Sequence, residues 1–195
     1  MPSTTTVTRM LGGASVSWAV TGASVFSFIY GFIYGFAGES ISALNAGLLV
    51  KRRTGIVAAI YTFMLLAYFM HPYGSRLPLW TMMDCLAASI LIYPAALLGK
   101  QLLRGGEEIK LFPLAVLLVS FVSTVTHSLT MIFILLPVGT YAVEFGAFEA
   151  VYYAFVVGAA GPYLEDVIVI AASFLVYSPV LPLIRRSGIL NFPMS

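Results

Sequence analysis

Charge in this chain is almost confined to the joints between long apolar runs, and that segmentation constrains the fold more than any other feature. The runs at 14–37, 54–70, 79–99, 111–137 and 164–184 approach or exceed the roughly 20 residues that cross a bilayer core as a helix. A shorter run, 41–50, lies between the polar residues Gly38, Glu39 and Ser40 and the cations Lys51, Arg52 and Arg53. Charged residues make up 9% of the sequence and hydrophobic ones 60%, whereas a soluble domain carries about a quarter charged. The ten-residue alternation of a membrane barrel is absent. The fold class expected is an all-α integral membrane protein, one domain over 1–195, with six transmembrane helices. The segment MPSTTTVTRM lacks a cleavage-site pattern, so the run after it reads as a retained first helix. One cysteine, Cys85, leaves no internal disulfide framework.

The cations orient this layout. With six spans and a cytoplasmic N-terminus, Arg9, Lys51, Arg52, Arg53, Lys100, Arg104, Lys110, Arg185 and Arg186 all fall on the cytoplasmic side, and only Arg76 falls outside. That is the bias of the positive-inside rule, and it places both termini in the cytoplasm. The KRR turn then joins a short second helix to a third, and Gly55 beside it allows the turn to be tight. The same map puts Glu39, Asp84, Glu144, Glu149, Glu165 and Asp166 toward the outer side, with Glu107 and Glu108 inside. Outer loops need polar residues of some kind, but a carboxylate at the edge of an apolar core is costly and faces a cavity or a partner.

Several patterns carry candidate chemistry. In YGFIYGF, 30–36, Tyr30 and Tyr34 share one helix face while Gly31 and Gly35 form a small-residue face; Ala19 and Ala23 make a second such pair. Small faces let helices pack closely in lipid, either within one chain or against another membrane subunit. Ser120, Ser123, Thr124, His127 and Thr130 follow a helical stripe that points into a bundle. A neutral His127 bonded to a neighbouring helix is the plain reading; contact with a bound solute is the sharper one. Trp80 and Asp84 are four apart, so a helix would set an indole beside a carboxylate, a combination suited to a planar cation. An interfacial belt accounts for Trp80 equally well. Between Tyr141 and Tyr163, aromatic residues alternate with acids, as in a short outer helix or lid with a hinge at 158–162. No P-loop, H-E-x-x-H, C-x-x-C or G-x-S-x-G occurs, and two histidines cannot supply the paired ligands of a multi-haem cytochrome. Neither enzyme activity nor a cofactor is expected.

A small six-helix layout with A-x-x-x-A in the first helix, K-R-R-T-G at the second junction and a closing S-P-V-L-P-L-I-R-R resembles the substrate-binding S-component of energy-coupling factor (ECF) vitamin transporters. The segment L-L-V-K-R-R-T-G-I-V-A-A is most similar to the thiamine and hydroxymethylpyrimidine branch. The resemblance implies a multi-pass protein of the cell membrane that binds one vitamin from outside, without ATPase activity of its own. It implies a site between the last three helices, and a transmembrane coupling subunit and cytoplasmic ATPases as partners. Carried over, Ala19 and Ala23, with Gly31 and Gly35, would face the coupling subunit. Asp84 and Glu165 would anchor an amino or cationic group, Trp80 and a lid tyrosine (Tyr141 or Tyr163) would stack on a ring, and His127 would bond its buried end. Glu39, Tyr34, Glu144 and Asp166 complete the candidate substrate residues, and no metal is expected. The chain departs from the family in its Ser- and Thr-rich N-terminus and in lacking the Met-His motif of the cobalt and nickel branch. Two readings from other classes stand beside this one: a structural subunit of a larger membrane assembly, such as a respiratory complex, and a small channel or carrier acting alone.

Overall fold

The computed structural model describes residues 25–99, 111–158 and 160–186, and every regular element among them is a helix. In chain order these are α1 (Val25–Val50), α2 (Thr54–Met70), the 3-10 turns Gly74–Arg76 and Leu79–Met82, α3 (Met83–Gly99), α4 (Phe112–Leu135), the single turn α5 (Tyr141–Glu144), α6 (Phe148–Gly158) and α7 (Ala160–Arg186). The break expected at Gly38, Glu39 and Ser40 does not exist. Residues 41–50 are not a separate span but the second half of α1. Away from water every backbone polar group has to be satisfied within its own segment, so the helix continues through Gly38, Glu39 and Ser40.

Among the described residues three helical stretches are long and apolar enough to cross a membrane: Gly31–Val50, Leu79–Gly99 and Phe112–Leu135. A fourth forms if Phe148–Gly158 and Tyr163–Tyr177, which meet at a 44° bend, count as one span. The bend falls at the expected 158–162 hinge. Pro162 sits in the first turn of α7, where a missing N–H costs nothing. Helix α2 is apolar but shorter, at 17 residues. Helix α4 is the central element, packed against α1, α2, α3 and α7.

Burial is inverted relative to a soluble protein. Asn45, Thr126, Thr130, His127 and Asp166 are buried, while Ile90 is 75% exposed, Leu175 71% and Phe63 63%. An apolar surface over a polar-stitched interior is the solution lipid demands, because association between helices there comes from close packing and hydrogen bonds. The chain is read accordingly as a membrane protein.

The KRR turn is a helix stop of defined geometry. Arg53 N–H donates to Leu48 O at 2.8 Å and Arg52 N–H to Leu49 O at 2.9 Å, the paired bonds of a Schellman motif. Its left-handed position, φ 57°, is taken by Arg52, not by Gly55, which lies within α2. The expectation that Gly55 shapes the turn is therefore corrected. An L-residue with a Cβ pays about 1 kcal/mol for this conformation. Arg52→Gly is expected to stabilise the detergent-solubilised chain by about that amount, read as a raised thermal midpoint, whereas Arg52→Ala, which keeps the Cβ, gives no gain.

Reversal at this turn sets α2 antiparallel to α1. Val50, Thr54 and Gly99 gather at one end of the bundle, and a Cβ on Gly99 would lie 3.5 Å from Val50 Cα. At the other end lie Trp80 and Tyr163, with Tyr34 beside Thr140. The bundle thus has an Arg52 end and a Trp80 end.

Candidate functional site

The residues expected to form one site fall into three groups. At the Trp80 end, a cavity of about 190 Å³ opens between α3, α4, α6 and α7. Thr81, Asp84, Ser128 and Tyr163 contribute its polar groups, and Ile132, Leu135 and Phe155 its apolar wall. Asp84 stands in the first turn of α3, where a helix favours negative charge, and its Oδ1 accepts the Cys85 N–H at 2.8 Å. Its side chain is only 9% exposed, so the carboxylate is held in place by its own helix before any ligand arrives.

Trp80 does not share that wall. It lies in the Leu79–Met82 3-10 turn, 48% exposed, and contributes its backbone carbonyl, which accepts the Tyr163 hydroxyl. In a 3-10 segment residues three apart eclipse, so Thr81 and not Trp80 aligns with Asp84. Thr81 and Asp84 line the same cavity, with the Thr81 hydroxyl donating to Pro78 O at 2.8 Å. Glu165 and Asp166 also separate: Asp166 is buried, while Glu165 lies on the exposed side of α7.

His127 does not line the cavity. It faces α1, where Nδ1 lies 3.6 Å from Oε1 of Glu39. Both residues sit well inside their helices, so Glu39 is a mid-bundle acid and not an outer-loop one. A polar seam continues from this pair toward the Arg52 end. Ser42 Oγ donates to Ser123 O at 2.7 Å, Asn45 Nδ2 donates to Thr126 Oγ1 at 3.2 Å, and the Tyr61 hydroxyl donates to Val122 O at 2.8 Å. Gly38 makes the approach possible: a Cβ there would lie 2.6 Å from His127 Nδ1 and 3.1 Å from Cγ. Gly31 and Gly35 are buried on this same face of α1, in phase with Gly38, Ser42 and Asn45. Ala19 and Ala23 lie outside the described residues.

The third group is a clasp at the Trp80 end. The Tyr34 hydroxyl donates to Glu144 Oε1 and lies beside Thr140 Oγ1, whose own proton goes to Ile134 O at 3.0 Å. Gly139 and Gly146, at φ 93° and 71°, bracket the turn α5 that carries Glu144. Tyr141 packs on Tyr73 and His71, with ring centroids 4.8 and 5.4 Å apart, and Tyr73 packs on Phe148 at 4.9 Å. The segment expected to form an aromatic lid packs on α1 and on the α2–α3 connection.

Burial raises the Glu144 carboxyl above its ordinary range, and the Tyr34 hydrogen bond opposes that in part. A raised folded-state value means that the neutral acid fits better, so its contribution to stability is complete in acid and is lost as pH rises through the raised value. Glu144→Gln keeps an acceptor for Tyr34 without the charge. Its thermal midpoint is expected to equal that of the wild type in acid and to exceed it increasingly toward neutral pH; the opposite trend would show that the ionised form is the docked one.

Sequence reasoning missed Thr81 and Ser128 at the cavity, and Gly38, Ser42, Asn45, Tyr61 and Thr126 along the seam. Among the described residues no three His, Cys, Asp or Glu side chains converge as a metal site. No protein-family model, curated protein or solved structure matches the chain.

Proposed function

We propose that this chain is the membrane-embedded binding subunit for a small amine-bearing or cationic aromatic solute, captured at the Trp80 end and passed on by an importer of the energy-coupling factor type. The observation that carries the reading is the cavity itself. At about 190 Å³ it is smaller than the roughly 300–1,000 Å³ of drug-sized pockets and suits a single small ring. It is mostly apolar, with one preoriented buried carboxylate, Asp84, flanked by the hydroxyls of Thr81, Ser128 and Tyr163. An acid so placed pairs with a ligand cation or amino group in a medium that strengthens the interaction.

The positive-inside rule sets the direction of capture. Lys51, Arg52 and Arg53 lie at one end of the bundle, and Arg185 and Arg186 close α7 running toward that end; Arg76 lies at the other. With the Arg52 end cytoplasmic, the cavity faces outward and the protein is a multi-pass component of the cell membrane. A coupling subunit and ATPases complete the importer, since the sequence holds no P-loop of its own.

Thermal shift of the purified full chain tests the reading, with thiamine-like cations, aminopyrimidines, other vitamins and divalent metals as probes. A ligand present at a hundred times its Kd adds about 2.7 kcal/mol, a shift of several degrees. One amine-bearing or cationic aromatic probe is expected to give it at micromolar concentration. A flat response across the panel, or a shift by metals alone, removes the proposal.

A further inference from the structure

At the Arg52 end a second cavity, about 250 Å³, runs as a groove between α2 and α3. Its floor is made of small side chains, Gly55 and Ala58 on α2 and Ser89 on α3, with Ile92 and Tyr93 along the far wall. Nothing lies within 4 Å of the position a Cβ on Gly55 would take, so the groove is open where it meets the turn. Thr54, at that mouth, follows directly on Arg53. Lys51, Arg52 and Arg53 are all exposed there, and among the described residues none of them has an ion pair. Two short backbone bonds and the left-handed Arg52 fix the path of the chain through these three cations. The groove walls continue into surface that is itself lipid-like: Tyr93 is 63% exposed and Ile90 75%.

We infer that this groove and turn form a binding site for an anionic glycerophospholipid of the surrounding leaflet. One acyl chain lies over Gly55, Ala58 and Ser89, and the headgroup phosphate meets Lys51, Arg52 and Arg53. Charge complementarity selects the occupant. Three exposed cations at the membrane surface attract anionic headgroups, each contributing on the order of a factor of five to binding. A partner helix lying in the groove would need its own acidic end at that spot to compete. A zwitterionic lipid fits the groove but gains little from the turn. The site is independent of the solute cavity, which lies at the opposite end of the bundle, so it stands whether or not that cavity binds an amine.

The test uses the full chain, purified in a neutral detergent and titrated with phosphatidylglycerol or phosphatidylcholine of equal chain length, with bound lipid counted by native mass spectrometry. Retention of phosphatidylglycerol over phosphatidylcholine by at least tenfold is expected. The variant K51Q/R52Q/R53Q is expected to lose about a hundredfold in that affinity. Ala58→Leu fills the groove without touching the charges. It is expected to weaken binding of the intact lipid and to leave binding of water-soluble glycerophosphoglycerol unchanged. Equal retention of the two lipids by the wild type, a measurement that needs no variant, overturns the inference. So does undiminished phosphatidylglycerol binding by a monodisperse Ala58→Leu chain, or its displacement by a co-purifying membrane subunit. Ser89→Leu repeats the filling from the opposite wall should Ala58→Leu fail to fold.

Discussion

Gly38→Ala should cost this protein about 2 kcal/mol, far more than the same exchange on an exposed helix face, where alanine is the better helix former. The added methyl would lie 2.6 Å from His127 Nδ1, 2.8 Å from Cε1 and 3.1 Å from Cγ. A ring touched at both its tip and its root cannot escape by swinging about one bond. Either His127 leaves its rotamer, losing its position 3.6 Å from Glu39, or α1 backs away from α4 and stretches the Ser42–Ser123 and Asn45–Thr126 bonds. The cycle through His127→Ala decides whether this contact is the cause. Removing the ring makes room for the methyl, so the double variant should be milder than the sum of the singles by about 1 kcal/mol or more. Thermal midpoints of the four proteins in one detergent measure it. A neutral Gly38→Ala, or strict additivity, would mean that α1 and α4 are not held this closely.

The same three residues show where the sequence was legible and where it was not. Helix limits near 54–70, 79–99 and 111–137 were readable because the apolar runs end at charged or polar joints, and α2, α3 and α4 follow them to within a few residues. Gly38, Glu39 and Ser40 carry the opposite local signal, a break, and nothing nearby contradicts it. What cancels the break is His127, distant in sequence and brought alongside by the α1–α4 packing. The polar stripe on α4 was recognised through His127 and Thr130, but α4 has neighbours on several sides, so its hydroxyls serve different helices. Thr126, outside the stripe, bonds both Asn45 and Tyr61. The Trp80–Asp84 pairing failed for a geometric reason: four-residue spacing defines a shared face only in an α-helix, and Trp80 lies in a 3-10 turn. Gly31 and Gly35 announced close packing correctly, yet small residues mark proximity without naming the partner.

Asp84→Asn should weaken solute binding by about ten- to a hundredfold while leaving the fold intact. The magnitude is that of removing the charge from one hydrogen bond to an ionised partner, about 1.5–3 kcal/mol. The fold survives because asparagine retains the Oδ1 that accepts the Cys85 N–H at 2.8 Å, so the first turn of α3 keeps its local bond. Asp84→Leu loses both functions and should be less stable as well as inactive. The contrast between them separates recognition from structure. A second contrast comes from the ligand: an uncharged analogue of the same shape should lose much less affinity in Asp84→Asn than the amine-bearing or cationic form, because only the latter loses a charge partner. Thr81→Val, on the same wall, removes one neutral hydroxyl and should cost roughly a few-fold. Because the pair forms inside the cavity and not at the surface, added salt should change these ratios little. If Asp84→Asn binds cation and analogue alike at wild-type strength, the carboxylate serves only to cap its own helix, and the cavity at the Trp80 end takes a neutral solute or none.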